Sequence, residues 1–198
     1  MNELFEKCLK QVLKWEGGYV DDPDDKGGAT NKGITQFTYN RYLKNKGQQP
    51  KPVKNIPDAE VKEIYYKYYW LASGCEKMTP KFAALCFDTA VNMGTGIVKA
   101  TGMTRNTEFL KAAQYTYPEK YIAAKRAKYY EFAKYGNQKK FLNGWLNRLN
   151  DMEKFIKTLW FYFLNSLPML QRVGNSFWNW NKICYIFHYI FGKNLNGC

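Results

Sequence analysis

Near the start of the chain, Leu4, Phe5, Cys8, Leu9, Val12 and Leu13 recur at intervals of three and four. That spacing lines one face of an α-helix, and Asn2 can cap its first turn, so the pattern predicts a helix to about Trp15. The periodicity then stops. Residues 17–33 hold five glycines, four aspartates and one proline, a composition in which no amphipathic helix survives; an irregular loop or short hairpin is expected. Thr35 can cap a second helix running to about Lys46, and residues 47–56, rich in Pro and Lys, read as a loop.

Val61, Ile64, Tyr65, Tyr68 and Tyr69 mark a third helix, from Pro57 or Asp58 to Gly74. Thr79 followed by Pro80 is a helix start, because proline suits the first turn. The helix it opens carries Phe82, Leu85, Cys86 and Thr89 on one face and should stop near Gly94. Residues 94–102 are a plausible boundary between subdomains. A helix from 118 to about 135 follows, then a long one from about 139 to 164. Its buried stripe is Leu142, Trp145, Leu149, Met152, Ile156 and Leu159. No alternating strand pattern of useful length occurs, so the expected fold class is mainly α. The expected division is 1–95, then a helical region 96–165 packed on it, then a tail of 166–198.

That tail crowds Phe177, Trp178, Trp180, Ile183, Tyr185, Ile186, Phe187, Tyr189, Ile190 and Phe191 into fifteen residues. Its apolar runs are shorter than the roughly 20 residues that span a bilayer. A closing helix buried on the core and an interfacial helix on an anionic membrane both fit.

A length of 198 residues allows one good-sized domain or two small ones sharing a core. Thirty Lys and Arg against 17 Asp and Glu give a net charge of +13, which draws polyanions to the surface. Nucleic acid, anionic membrane and the acidic bacterial wall all qualify as partners. The Lys-rich segments at 44–54 and 120–128 could belong to a nucleic-acid reader, but solvated helix faces have the same look. Five scattered cysteines lack any CxxC pair, which argues against zinc and against a secreted disulfide framework; Cys8 and Cys86 read as core residues. His188 is the sole histidine, so His-dependent triads have almost no material. No phosphate-loop or dinucleotide fingerprint is present, and neither cofactor nor metal is called for. The charged N-terminus is not a secretory signal. The expectation is synthesis in the cytoplasm and, for action on the cell envelope, export by another route.

The candidate chemistry sits in the glycine-rich segment. Glu16 closes an apolar helical turn beside Trp15 and Tyr19, where desolvation favours the protonated carboxyl that a glycosidase acid needs. Taken alone it could equally be a surface glutamate at a helix end. Nine residues on, Asp25 stands in a polar loop where it should stay ionised, and Thr30 offers a hydroxyl that could share a water with it. Two carboxyls in contrasting environments suit glycoside hydrolysis. Calcium loops are also rich in Asp and Gly, but their ligand spacing is absent.

The segment EGGYVDDPDDKGGATNKGIT, beginning at Glu16, closely resembles the signature of glycoside hydrolase family 108. That family comprises lysozyme-like proteins that include N-acetylmuramidases and proteins once called secretion activators. The resemblance implies Glu16 as the catalytic residue, with Asp25 and Thr30 on the family's following Asp and Thr. The Glu–Asp–Thr order also looks like that of phage-type lysozymes, with one residue fewer before the Thr. DTAVNMG at 88–94 is similar to the family's second block, where Asn92 would line the cleft or else cap its helix. FLNGWLNR at 141–148 resembles the predicted peptidoglycan-binding region that accompanies this domain. Together these imply a lysozyme-like fold and cleavage of the β-1,4 bond between N-acetylmuramic acid and N-acetylglucosamine in peptidoglycan glycan strands. Tyr19 and Asn92 are then substrate contacts. An inverting enzyme should hold its two carboxyls about 6.5–9.5 Å apart, and a separation near 5 Å would point to a nucleophilic Asp25. The nearer rival is a lytic transglycosylase using Glu16 alone. Farther off are a non-catalytic wall- or membrane-binding protein, and a nucleic-acid binder with strongly salt-dependent affinity.

Overall fold

The first helix, α1 (Glu3–Leu13), begins where Asn2 accepts a hydrogen bond from the Phe5 amide at 2.9 Å. Glu3 and Glu6 in its first turn complement the helix dipole. The expected face, Phe5, Cys8, Leu9 and Val12, is buried. The helix stops two residues before Trp15, because the Trp15 and Glu16 amides bond three residues back and tighten the chain out of the α pattern. The computed structural model describes residues 1–21, 28–95, 105–113 and 116–159, within a compact unit spanning Met1–Trp160.

The glycine-rich segment closes as a hairpin. β1 (Thr30–Asn31) pairs antiparallel with β2 (Ile34–Thr35), Asn31 facing Ile34. Lys32 and Gly33 between them have φ of 49° and 72°, the left-handed pair that a two-residue hairpin turn demands. Val20 exchanges two 2.8 Å backbone bonds with Thr30, drawing the two ends of the 20–30 segment together. Asn31, buried behind the hairpin, donates to the Val53 and Lys54 carbonyls. Thr35 then caps α2 (Gln36–Asn45) through the Thr38 amide.

α3 (Asp58–Tyr65) does not run on to Gly74 as its periodicity predicts. It widens into a π-helical turn over Tyr66–Leu71, a feature common near functional sites. The widening buries Trp70 and brings the Tyr65 and Tyr69 rings to 5.2 Å. α4 (Pro80–Met93) starts after Thr79 as expected. Every residue from Phe82 to Ala90 is buried, so this helix is central rather than one-faced. It packs against α1 and the π turn from the preceding chain, and against α5 (Arg105–Ala113), α6 (Pro118–Phe132) and α7 (Leu142–Thr158) from the following chain. Phe5, Trp70 and Phe87 meet edge to face at 5.4–5.8 Å in this core.

α5 was not foreseen: its buried set of Phe109, Leu110 and Ala113 is too short to register as a period. α7 is preceded by a 3₁₀ turn over Gly136–Phe141, so it starts three residues later than expected. The expected end near residue 164, the aromatic tail and His188 lie outside the described residues. Cys8 and Cys86 are core residues, and burial pushes both thiols up to about 12. Among the described residues no helix is long and apolar enough to cross a membrane. The architecture is mainly α with one short hairpin, as the pattern implied.

Candidate active site

Glu16 follows the end of α1, and its side chain is 16% exposed. The sequence places Trp15 and Tyr19 beside it in an apolar pocket, but its surroundings are built differently. Its Oε1 accepts a 2.8 Å bond from Arg148 Nη1, reaching across from α7. Gly33, at the hairpin turn, lies so close that a Cβ there would stand 2.6 Å from Glu16 Oε2 and 2.6 Å from the Tyr65 hydroxyl. Tyr65 donates to the Lys32 carbonyl at 2.8 Å and thereby ties the π turn to the hairpin. Burial raises the hydroxyl pKa of Tyr65 and of Tyr69, and the Glu16 charge adds to the rise in both. The aromatic residues that sense Glu16 are therefore these two tyrosines.

Arg148 is itself held from behind. Its Nε donates to Asp88 Oδ1 at 2.7 Å, and Lys125 Nζ donates to Asp88 Oδ2 at 2.7 Å. Asp88, Lys125 and Arg148 are all buried. Burial works to raise the Asp88 pKa, but the adjacent Lys125 and Arg148 cations outweigh it and hold this carboxyl below its ordinary value. Burial likewise works against the Arg148 charge, and Asp88 and Glu16 overcome it. One helix each from α4, α6 and α7 thus contributes to a line of alternating charge ending at Glu16. Arg148 Nη2 is buried with no hydrogen-bond partner among the described residues, a donor held in reserve beside the carboxyl.

None of Arg148, Asp88, Lys125, Tyr65 and Gly33 was assigned a site role from the sequence. A signal was there: Asp88 and Arg148 fall among apolar residues on helical stripes, and a charge in such a place needs a partner.

The other expected residues take varied positions. Thr30 lies at the base of the hairpin, its hydroxyl donating weakly to the Gly28 carbonyl at 3.4 Å. Asp25, midway in sequence between the paired Val20 and Thr30, lies outside the described residues. Tyr19 is 40% exposed; its hydroxyl donates to Asp21 at 2.9 Å, and Lys54 Nζ lies 5.3 Å from its ring centre. Asn92 sits near the end of α4 and accepts from the Tyr129 hydroxyl at 2.7 Å. Gly94, not Asn92, occupies the helix C-cap. Trp145 is half-buried, stacked on Tyr129 at 5.5 Å.

Comparison with known proteins agrees with this geometry. The family model described as Glycosyl hydrolase 108 matches residues 9–94, which include Glu16, the hairpin and α4. The fold resembles that in a solved structure of Brucella abortus SagA, with a TM-score of 0.59 and 25% sequence identity over 78% of this chain and 94% of that chain. Among curated proteins none matches this chain by sequence. The first motif and the helical frame that carries it point the same way: over residues 9–94 the chain matches glycosyl hydrolase family 108, and that match supports a glycoside hydrolase.

Proposed function

We propose that the protein cuts the β-1,4 bond between N-acetylmuramic acid and N-acetylglucosamine in peptidoglycan, with Glu16 as the general acid. The observation that carries this reading is the fixed Glu16 carboxyl. Arg148 occupies Oε1, and Oε2 has no hydrogen-bond partner among the described residues. Oε2 is then the oxygen that carries the proton and hands it to the glycosidic oxygen as the bond breaks. The buried Lys125–Asp88–Arg148 line supports this by fixing the carboxyl against the hairpin, and such positioning is a large part of what an active site contributes. Asp25, with Thr30, takes the opposite side of the sugar, holding a water or stabilising the oxocarbenium-like transition state. Tyr19 and Asn92 serve as substrate contacts. Residues 96–165 add a wall-binding face to the catalytic 1–95, and action takes place in the envelope after export.

The test is fragment release from purified peptidoglycan, read by mass spectrometry, for the wild type and Glu16→Gln. Reducing-end muramic acid products that fall by roughly 10²–10⁴-fold in the folded variant are expected. Equal release by both proteins removes Glu16 as the acid. A 1,6-anhydro product means transglycosylation, and wall binding without release by either protein means a binding module.

A further inference from the structure

A pocket of about 470 Å³ opens between the end of α1 and α7, lined by Lys14, Trp15, Asn147, Asn150, Asp151 and Lys154. Its position relative to the ion pair follows from the chain: Trp15 adjoins Glu16 and Asn147 adjoins Arg148. We propose that this pocket is a subsite for the carboxylate-bearing peptide that branches from the glycan strand. The proposal rests on the wall-hydrolase reading above and specifies which part of the polymer is gripped beside the cut.

The lining is built rather than incidental. Asp151 Oδ2 accepts from the Trp15 indole N–H at 2.9 Å and from Gln11 Nε2 at 2.7 Å. Gln11 is buried, and its Oε1 accepts from Lys14 Nζ at 2.6 Å. This relay locks the Trp15 ring while leaving it 37% exposed, so an apolar surface is presented without rotamer freedom to lose. It also occupies the inward oxygen of the one acid in the lining.

What remains to face a ligand is mostly donors. Lys14 Nζ spends one donor on Gln11, and neither it nor Lys154 forms an ion pair with an acid among the described residues. The Asn150 side-chain oxygen is taken by Arg126 at 2.9 Å, leaving its amide N–H groups to donate. Two ammonium groups on separate helices, an amide donor and a fixed aromatic ring suit a ligand with a carboxylate next to small apolar groups. A short peptide with a free carboxyl end has that chemistry. A neutral sugar would leave the lysines unused.

The experiment measures co-sedimentation of Glu16→Gln protein with whole peptidoglycan and with peptidoglycan stripped of its peptides by an amidase. Adding Lys14→Gln and Lys154→Gln together should weaken binding to the whole polymer about tenfold and leave binding to the stripped glycan unchanged. A charge-matched control, Lys134→Gln with Lys139→Gln, should change either by less than twofold. Equal losses on both polymers, no loss on either, or an equal loss in the control overturns the subsite. A loss confined to the stripped glycan would put the ligand on the lactyl group of the sugar and overturn the peptide assignment. Fragment release by the wild type is read in parallel. Lysine-dependent binding without release sinks the hydrolase reading alone, and release without lysine dependence sinks the subsite alone.

Discussion

Gly33 sits at φ 72° with Glu16 Oε2 and the Tyr65 hydroxyl each 2.6 Å from where a Cβ would stand. The two constraints can be separated, because Gly47 has φ 69° and open space around it. A left-handed backbone costs a side-chain-bearing residue about 1–3 kcal/mol. Gly47→Ala should therefore lose stability in a thermal melt while fragment release is unchanged. Gly33→Ala should lose at least as much stability and also displace the Glu16 carboxyl, and a shift of about 1 Å at a reacting group can cost on the order of 100-fold in rate. Equal activity in the two variants would show that the hairpin glycine serves only the turn. Sequence pattern reaches half of this. The glycine-rich break after Trp15 announces a turn, and the motif marks Glu16. Close approach between Gly33, Glu16 and Tyr65 joins three segments, and no local period records it. The expected apolar setting of Glu16 failed for the same reason, since Arg148 arrives from 132 residues away.

Between elements, the joint among α4, α6 and α7 is electrostatic at its centre. Lys125 and Arg148 each contact Asp88 at 2.7 Å with all three side chains buried. Removing one member of such a set leaves the others without compensation, at roughly 3–5 kcal/mol. Asp88→Asn should therefore destabilise the protein by about that amount at pH 7, read by denaturant unfolding. The pH dependence has a definite sign. The Asp88 pKa is lowered in the folded state from an ordinary value of 3.8. Its contribution is thus complete above that value and is lost as pH falls through the lower folded value. The wild type should show a steep loss of stability below about pH 4, and Asp88→Asn a shallower one. Parallel acid limbs would remove Asp88 from the account of acid unfolding. At this joint α4 and α7 were readable from apolar positions recurring at helical spacing over fourteen residues or more. α5 has nine residues and a short buried set, and the π turn after α3 keeps an aromatic pattern that an α-helix would also produce.

Across the whole molecule, a charge of +13 and a buried ion pair at the site respond differently to salt. Exposed charges are screened over about 10 Å at 0.1 M salt and about 3 Å at 1 M, whereas buried pairs are screened far less. The surface field acts on encounter with an acidic polymer, so it governs how much substrate is captured at low concentration. The Arg148–Glu16 contact has side chains 7% and 16% exposed, and in the proposed mechanism it acts once substrate is bound. Raising salt from about 0.05 to about 0.5 M should therefore increase the apparent KM on peptidoglycan several-fold and leave kcat within about a factor of two. A kcat that falls while KM holds would mean that salt reaches the Glu16 pair itself. The pair would then be open to solvent during turnover, and the carboxyl would be positioned by the substrate rather than by α7.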